Sequence, residues 1–266
     1  MKGLISIIAM GICFAAVFSG ILMLGGNMGD FLDPASAMLV IVPTFAALFI
    51  TFPPSMLAKF PKHMQIVMRE SHQAENYIER ITDIAKKARR EGLLSLENEQ
   101  LGSPIADYAL RMIIDGVQEQ EAREWLEDTL ESTKKRHEEV IEIYEKGASY
   151  APAFGMCATV IALINMLMGL DFSDAAGVTS LGVNMSAALI TTFYGSLLAN
   201  AFFLPVAARL KLLNKREIFC NTLICNGLLA VQRGSSANLI EDYMREQVNR
   251  SAHNDLKVSG EIKKNE

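Results

Sequence analysis

The chain alternates between long apolar runs and densely charged segments. Runs without any charged residue occupy residues 3–24, 35–52, 148–170 and about 184–208. Because roughly 20 apolar residues cross a bilayer as an α-helix, each run is long enough to span one. The pattern predicts an all-α fold, in the form of a polytopic membrane protein with four transmembrane helices.

Short breaks group these runs into two hairpins. A glycine-containing break with Asp30 and Asp33 separates the first two runs, and Asp171 and Asp174 lie in the break between the last two. The arrangement predicts four regions, which are a first transmembrane hairpin (1–54), a cytoplasmic helical domain (55–147), a second transmembrane hairpin (148–208) and a cytoplasmic C-terminal helical tail (209–266).

The overall composition supports a membrane protein and gives no sign of a nucleic-acid partner. The 266 residues include 30 acidic and 25 basic side chains, which gives a net charge of −5. Half of the residues are hydrophobic and the mean hydropathy is +0.22, which is unusual for a soluble chain. A nucleic-acid-binding protein normally has a basic excess, and this chain has an acidic one.

The basic residues predict how the chain is oriented in the plasma (inner) membrane. None occurs between Lys2 and Lys59 or between Lys146 and Arg209, so all 25 lie on one side of the four-span arrangement. Since Lys and Arg concentrate in cytoplasmic loops, both termini and residues 55–147 should be cytoplasmic. Lys2 and the run after it also resemble a cleavable signal peptide, but the run is long and its removal would break this asymmetry.

The block at 55–147 has the 3.6-residue periodicity of helices, interrupted at Gly92, Gly102 and Gly116. Its last helix starts near Ala122 and has no strong break before Ala148, so we expect it to continue into the third span. The histidines stand among charged residues and are expected in solvent; they are His63, His72, His137 and His253. The four cysteines have neither the spacing nor the histidine neighbours of a zinc site.

A basic stretch at residues 86–97 has two interpretations. One is a helix C-terminus that carries basic residues and is capped by Gly92, with the next helix starting at Ser95. The other is an exposed charged patch that docks a charged partner, because complementary charge controls approach and register.

The four spans contain no Asp, Glu, His, Lys or Arg, although ion carriers usually place an ionisable residue inside the bilayer. A protein that moves ions without one must take its titratable group from a partner. The last two spans contain hydroxyls and helix-interrupting prolines, namely Thr159, Thr191, Thr192, Pro152 and Pro205. Small neighbours allow either ordinary close helix packing or a narrow polar track in which threonine oxygens help to desolvate a cation.

Five segments resemble the MotA/PomA family, the larger subunit of the flagellar motor stator. They are ARREGLLSLE at 88–97, APAFGM at 151–156, TFYG at 192–195, FLPVAARLK at 203–211 and GLLAVQRG at 227–234. The similarity covers nearly the whole chain in the expected order and spacing. The four-span arrangement, with a large cytoplasmic block after the second span, also fits this family.

The resemblance implies a homopentamer around two copies of a MotB/PomB-type partner. That partner has a single span, a peptidoglycan-binding domain and the aspartate that takes the ion, which accounts for the missing intramembrane acid. The resemblance assigns rotor switch-ring binding to Arg89, Arg90 and Glu97, coupling of ion flow to rotation to Pro152 and Pro205, and the ion pathway to Thr159, Thr191 and Thr192. It implies no cofactor besides the transported cation, and no enzymatic activity.

The transported ion is either a proton or sodium. The three threonines resemble the sodium-driven branch, because a dehydrated sodium ion needs several oxygen ligands whereas a proton needs only the carboxylate. Ala158 and Ala162 stand where that branch has glycines. Two other functions remain open: an ion-driven motor of the ExbB/TolQ type, which typically has three spans, and a membrane scaffold without transport.

Overall fold

The computed structural model describes residues 2–68, 74–169 and 175–262, and no β-strand occurs among them. The α-helices are α1 (Lys2–Met23), α2 (Pro34–Thr51), α3 (Pro54–Leu57), α4 (Phe60–Met68), α5 (Ala74–Glu91), α6 (Pro104–Ile114), α7 (Glu119–Met168), α8 (Ala175–Leu197), α9 (Leu204–Gln232) and α10 (Ala237–Ile262). Short 3₁₀ helices occupy Met28–Phe31 and Leu93–Leu96, and a π-helical turn occupies Leu198–Phe203. The all-α prediction is confirmed.

Three helical segments within the described residues are long and apolar enough to cross a membrane. They are Met28–Thr51, Glu119–Met168 and Asn184–Gln232, and a shorter apolar helix covers Gly11–Met23. The first predicted run lies in the helix Lys2–Met23. The expected continuation of the cytoplasmic helix is also found, because α7 runs without interruption from Glu119 to Met168.

The chain divides into two compact units, each with its own core. The first unit contains residues 1–70 and 137–213, and the second contains residues 71–136 and 214–266. In the first unit, the core includes Leu48, Tyr144 and Phe203, all completely buried. In the second, the core is formed by α5, α6, α10 and the adjoining parts of α7 and α9, and it includes Ile81 and Leu228.

Helix α2 begins at a strong local signal. The Asp33 carboxylate accepts hydrogen bonds from the backbone N–H groups of Ala35 and Ser36, at 3.2 and 3.1 Å, and Pro34 occupies the first helical position. An acidic N-cap satisfies backbone donors that have no partner within the helix, and proline loses nothing there since its missing N–H would have been unpaired. The apolar run therefore starts as a helix at the residue that the sequence indicates.

The glycines of the block at 55–147 lie at breaks between its helices, as predicted. Gly92, Gly102 and Gly116 have φ angles of 82°, 76° and 77°, in the left-handed region that residues with a Cβ atom rarely adopt. Gly92 follows the last residue of α5, and Gly116 follows the C-cap of α6. The interruptions in the hydrophobic pattern therefore correspond to real changes of chain direction.

Candidate functional site

The three predicted threonines form one hydroxyl cluster between α7 and α8. The Thr159 Oγ1 lies 3.0 Å from the Thr191 Oγ1 and 2.5 Å from the Thr192 Oγ1. It is also within hydrogen-bonding distance of two carbonyl oxygens, 2.9 Å from Gly155 and 3.0 Å from Ala188. The Thr159 Oγ1 and these four oxygen atoms therefore form one cluster of five oxygen atoms from two helices.

The cluster has a closed side and an open side. Thr191 is almost completely buried and donates its hydroxyl to the Ala188 carbonyl at 2.7 Å, whereas Thr192 is exposed on the surface of the chain. Thr159 is half-buried between them. Hydroxyl and carbonyl oxygens are the ligands of a dehydrated monovalent cation, and the open side leaves room for a further ligand from another molecule.

Two glycines set the distance between these helices. A Cβ atom on Gly195 would lie 2.6 Å from the Ala151 carbonyl oxygen, and one on Gly155 would lie 3.1 Å from the Thr191 carbonyl oxygen. Since real Cβ atoms do not approach a carbonyl at 2.6 Å, the contact requires glycine at 195. Thr159 and Thr191 each stand one helical turn from this contact, which explains why their hydroxyls meet.

The predicted coupling prolines lie at two different kinds of position. Pro152 is inside α7, and its Cα would be 3.2 Å from a Cβ atom on Gly195, so it borders the glycine contact. Pro205 is exposed and comes directly after the π-helical turn, where the Leu204 N–H donates to the Ala199 carbonyl. A proline removes one helical hydrogen bond, and local π geometry is one way for a helix to accommodate that loss.

Tyr194, the tyrosine of the TFYG segment on α8, is hydrogen-bonded to the loop between α1 and α2. The Tyr194 hydroxyl donates to the Phe31 carbonyl and accepts the Asp33 N–H at 3.2 Å, although Asp33 is 161 residues away along the chain. The Ser36 hydroxyl donates to the Asp33 carboxylate and lies 3.4 Å from the Ala187 carbonyl. The Asp33-Pro34 capping signal is visible in the sequence, but its partner on α8 is not, because no local pattern links the two segments.

The basic stretch ends α5 and then turns sharply. After Glu91, Gly92 reverses the chain into the 3₁₀ helix, whose last residue, Leu96, is completely buried in the core of the second unit. The predicted helix start at Ser95 is wrong: its hydroxyl instead donates to the Gly92 carbonyl at 2.7 Å, and the next α-helix begins at Pro104. A short side chain that bonds back to the preceding turn favours a turn over a new helix.

The segment after this turn is attached to α5 by two basic side chains. The Lys87 ammonium forms an ion pair with Glu99 at 2.7 Å, and this hydrogen bond raises the pKa of Lys87. The Arg80 guanidinium donates to the carbonyls of Leu101 at 2.7 Å and Gln100 at 3.1 Å. These contacts fix the direction of residues 97–101 relative to α5.

The predicted docking residues are free to meet another molecule. Arg89, Arg90 and Glu97 are all exposed, and their side chains have no ion-pair or hydrogen-bond partner among the described residues. They lie on the last turn of α5 and at the end of the 3₁₀ helix, two elements that pack against each other. The threonine cluster belongs to the first unit and this charged surface belongs to the second.

The expectation of solvated histidines is wrong for His63. It is 5% exposed in the core of the first unit, where its ring packs edge-on against Tyr144 with the ring centroids 6.0 Å apart. Burial lowers the pKa of His63, and the positive charge of Lys59 adds to that effect. The charged residues near His63 in the sequence suggested solvent exposure, but His63 and Val67 lie on the buried face of α4. His137 is half-buried, whereas His72 and the side chain of His253 lie outside the described residues.

Neither unit offers a metal centre in its described part. No group of three or more His, Cys, Asp or Glu side chains is close enough there to hold a metal ion. Cys220 and Cys225 are buried, and burial raises the pKa of the Cys225 thiol to about 12.

Together these features define a class: an all-helical membrane protein in which uncharged apolar helices meet at a hydroxyl cluster. Residues 97–220 match the model of the MotA/TolQ/ExbB proton channel family. The chain is 32% identical over 90% of its length to Motility protein A of Borreliella burgdorferi, of which it covers 91%. It is 28% identical over 86% of its length to the Chemotaxis protein PomA of Vibrio alginolyticus, of which it covers 88%.

A solved structure of the flagellar MotAB stator complex from Bacillus subtilis is similar in fold. It superposes with a TM-score of 0.80 and 29% identity, covering 90% of this chain and 92% of that one. The chain belongs to the MotA/TolQ/ExbB proton channel family, within its branch of flagellar stator subunits. Its relatives in this branch form an ion-channel family rather than a known class of enzyme.

Proposed function

We propose that this protein is the membrane-embedded ring subunit of a flagellar motor stator, in which inward cation flow drives rotation against the rotor. The observation that carries this proposal is the combination of an oxygen cluster open on one side with spans that contain no ionisable residue. A hydroxyl cannot be charged and discharged by a passing cation at physiological pH. The group that takes up the ion must therefore come from a second protein and approach the open side beside Thr192.

The second protein is a MotB/PomB-type subunit with one span, a peptidoglycan-binding domain and an aspartate at the height of the threonines. The similarity to a structure described as a MotAB complex supports this partner. Five copies of this chain surround two copies of the partner, as the family resemblance implies. Ion binding neutralises the aspartate, which lowers the cost of moving it along the apolar inner surface of the ring to the next subunit.

The chain crosses the membrane four times, with both termini and residues 55–147 in the cytoplasm. The distribution of basic residues supports this topology, since neither predicted outer loop contains one. The apolar side chains exposed on the first unit, such as Ile50, Ile164 and Leu189, face lipid or neighbouring subunits in this arrangement.

The exposed charges of the second unit contact the switch-ring protein of the rotor. Arg89, Arg90 and Glu97 have no partner of their own within the described structure, and the ion pair of Lys87 with Glu99 holds their support in place. Exposed complementary charges favour fast association and correct register over high affinity, which suits a contact that must break at every step.

The two prolines connect ion flow to this contact. Pro152 borders the glycine contact beside the threonines, and Pro205 follows the π-helical turn from which α9 continues toward the second unit. A helix interrupted at a proline can change its bend with few hydrogen bonds to break. Each proline is therefore placed to turn a local change at the cluster into a movement of the helix that carries it.

Charge reversal at the docking surface tests the proposed function. The double variant Arg89→Glu/Arg90→Glu should abolish swimming while leaving membrane insertion and co-purification with the partner unchanged. The matched control is Arg111→Glu, an exposed arginine on α6 in the same unit. Normal swimming of the double variant would overturn the docking role, and failure to recover a peptidoglycan-binding partner would favour an ExbB/TolQ-type motor or a scaffold.

Sodium is the proposed coupling ion, because the Thr159 Oγ1 and the four oxygen atoms around it form a cluster of possible ligands, whereas a proton needs only the partner's carboxylate. Swimming speed should fall when sodium is replaced by potassium at a constant proton-motive force. Undiminished swimming in potassium would assign the ion as a proton.

A further inference from the structure

A cavity of about 520 Å³ lies within the second unit, and its lining includes none of the predicted docking residues. It is bordered by three segments, which are the first turns of α7, the end of α9 with the loop after it, and the first turns of α10. Its lining residues are Arg123, Asn226, Ala230, Arg233, Ser235, Leu239, Ile240 and Tyr243. The volume falls in the range of small-molecule sites, and nothing in the proposed motor function uses it.

The cavity contains two guanidinium groups that share one carboxylate in the part of the chain that the structure describes. Arg123 and Arg233 both approach one carboxylate, that of Glu119, at 3.5 and 3.4 Å, distances of an ion pair without a direct hydrogen bond. Neither side chain makes a hydrogen bond to any other residue that the structure describes. One carboxylate for two guanidinium groups leaves one positive charge uncompensated and most of their N–H donors unused.

The other polar groups of the cavity add further donors. Asn226 contributes an amide, Ser235 a hydroxyl and Tyr243 a phenol, and none of them has a hydrogen-bond partner among the described residues. Ser235 also stands just before the N-terminus of α10, where the helix dipole favours negative charge. These groups can donate to a ligand, and the two guanidinium groups outnumber the one carboxylate, so the charge of this cavity favours an anion.

One wall of the same cavity is apolar. The Tyr243 side chain is 42% exposed and Leu239 is 62% exposed, both on α10, and Ile240 and Ala230 are the other apolar lining residues. An inorganic anion would use the guanidinium groups and leave this wall in contact with water. A ligand with a flat ring beside its anionic group would cover both.

From this arrangement we infer that the cytoplasmic unit binds a small organic phosphate, with the phosphoryl group between Arg123 and Arg233 and a planar ring against Tyr243. Guanidinium forks match the oxygen geometry of phosphate and hold it with paired, charge-assisted hydrogen bonds. Aromatic side chains and arginine stack on planar rings. A nucleoside monophosphate has both parts and fits the volume.

Equilibrium dialysis of the full chain, purified in detergent, tests this site with AMP, adenosine and inorganic phosphate as probes. AMP should bind saturably, at least tenfold more tightly than either fragment, and its affinity should fall as salt rises. Arg233→Gln should weaken AMP binding at least tenfold, and Arg233→Lys should retain part of it. Tyr243→Ala should weaken AMP but not phosphate.

The matched control is Arg245→Gln, which removes an α10 arginine that is paired with Glu241 at 2.8 Å outside the cavity lining. It should leave AMP binding unchanged. Absence of saturable AMP binding at millimolar concentration, equal binding of phosphate and AMP, or equal loss in Arg233→Gln and Arg245→Gln would overturn the inference. A thermal unfolding curve for each variant shows whether a loss of binding comes from a loss of folding. A folded Arg233→Gln variant that binds AMP normally would also contradict the proposed site.

Discussion

The backbone of α8 passes so close to α7 that a Cβ atom on Gly195 would lie 2.6 Å from the carbonyl oxygen of Ala151. This contact determines the distance between the two helices one turn away, where Thr159 meets Thr191 and Thr192. In a membrane, helices associate mainly by close packing, so small residues at a crossing have large effects on geometry. The geometry of the hydroxyl cluster therefore depends on the glycine contact at Gly195.

Replacing Gly195 by alanine should separate α7 from α8. The added methyl group cannot be accommodated without a backbone shift, and overpacking of this kind costs about 1–3 kcal/mol. We expect a lower unfolding temperature in detergent and loss of ion flux in vesicles that contain the stator complex. Gly182→Ala is the control, because a Cβ atom there meets no heavy atom within 4 Å. Equal stability of the two variants would show that the contact at Gly195 does not limit the distance between α7 and α8.

Replacing Thr191 by valine should remove one oxygen from the cluster with little change in volume. The Ala188 carbonyl then loses the donor at 2.7 Å, and loss of one such bond costs about 1 kcal/mol. Ion flux should fall several-fold, which is more than a loss of stability of this size would cause. Thr191→Ser keeps the hydroxyl and should retain most of the flux. Flux through Thr191→Val equal to that of the unmodified protein would contradict a role for this hydroxyl.

The stability of the first unit should depend on pH through His63. Burial lowers the pKa of this imidazole below the value of 6.5 for a free side chain, so the unfolded chain takes up the proton first as pH falls. The contribution of His63 to the free energy of unfolding is therefore constant above about pH 6.5, and it decreases as the pH falls below that value. His63→Phe should flatten the dependence of the unfolding temperature between pH 7.5 and 5.5. An unchanged slope in His63→Phe would mean that another group is responsible.

Removing Arg80 should loosen the segment behind the docking surface. Arg80→Met deletes the donors to the carbonyls of Leu101 and Gln100 but keeps most of the side-chain stem. For a solvent-accessible pair of bonds we expect a cost of about 1 kcal/mol and faster amide hydrogen exchange in residues 97–101. Torque should fall although Arg89, Arg90 and Glu97 are intact. The control is Arg111→Met; an unchanged exchange rate in Arg80→Met would contradict the positioning role.

The sequence predicted the helices well because their signals are local. Asp33 and Pro34 begin α2, and Gly92 and Gly116 follow the ends of α5 and α6, through the local chemistry of their own backbone and side chains. The same reasoning failed at Ser95 and His63. At Ser95 the competing turn with Gly92 prevailed, and at His63 the apolar neighbours come from α7, more than 70 residues further along the chain, so no local pattern indicates burial.

The sequence by itself determined where the apolar helices lie, that they contain no ionisable group and, through its resemblance to a family, which threonines, prolines and charges deserve attention. Only the tertiary structure decided that Thr159, Thr191 and Thr192 converge, that Tyr194 secures the loop at Asp33, and that Arg123 and Arg233 share one carboxylate. The physical reason is the range of the forces involved. Hydrophobic periodicity and capping act within a few residues, whereas a cluster depends on how closely two backbones approach, and that distance is set by residues on both helices at once.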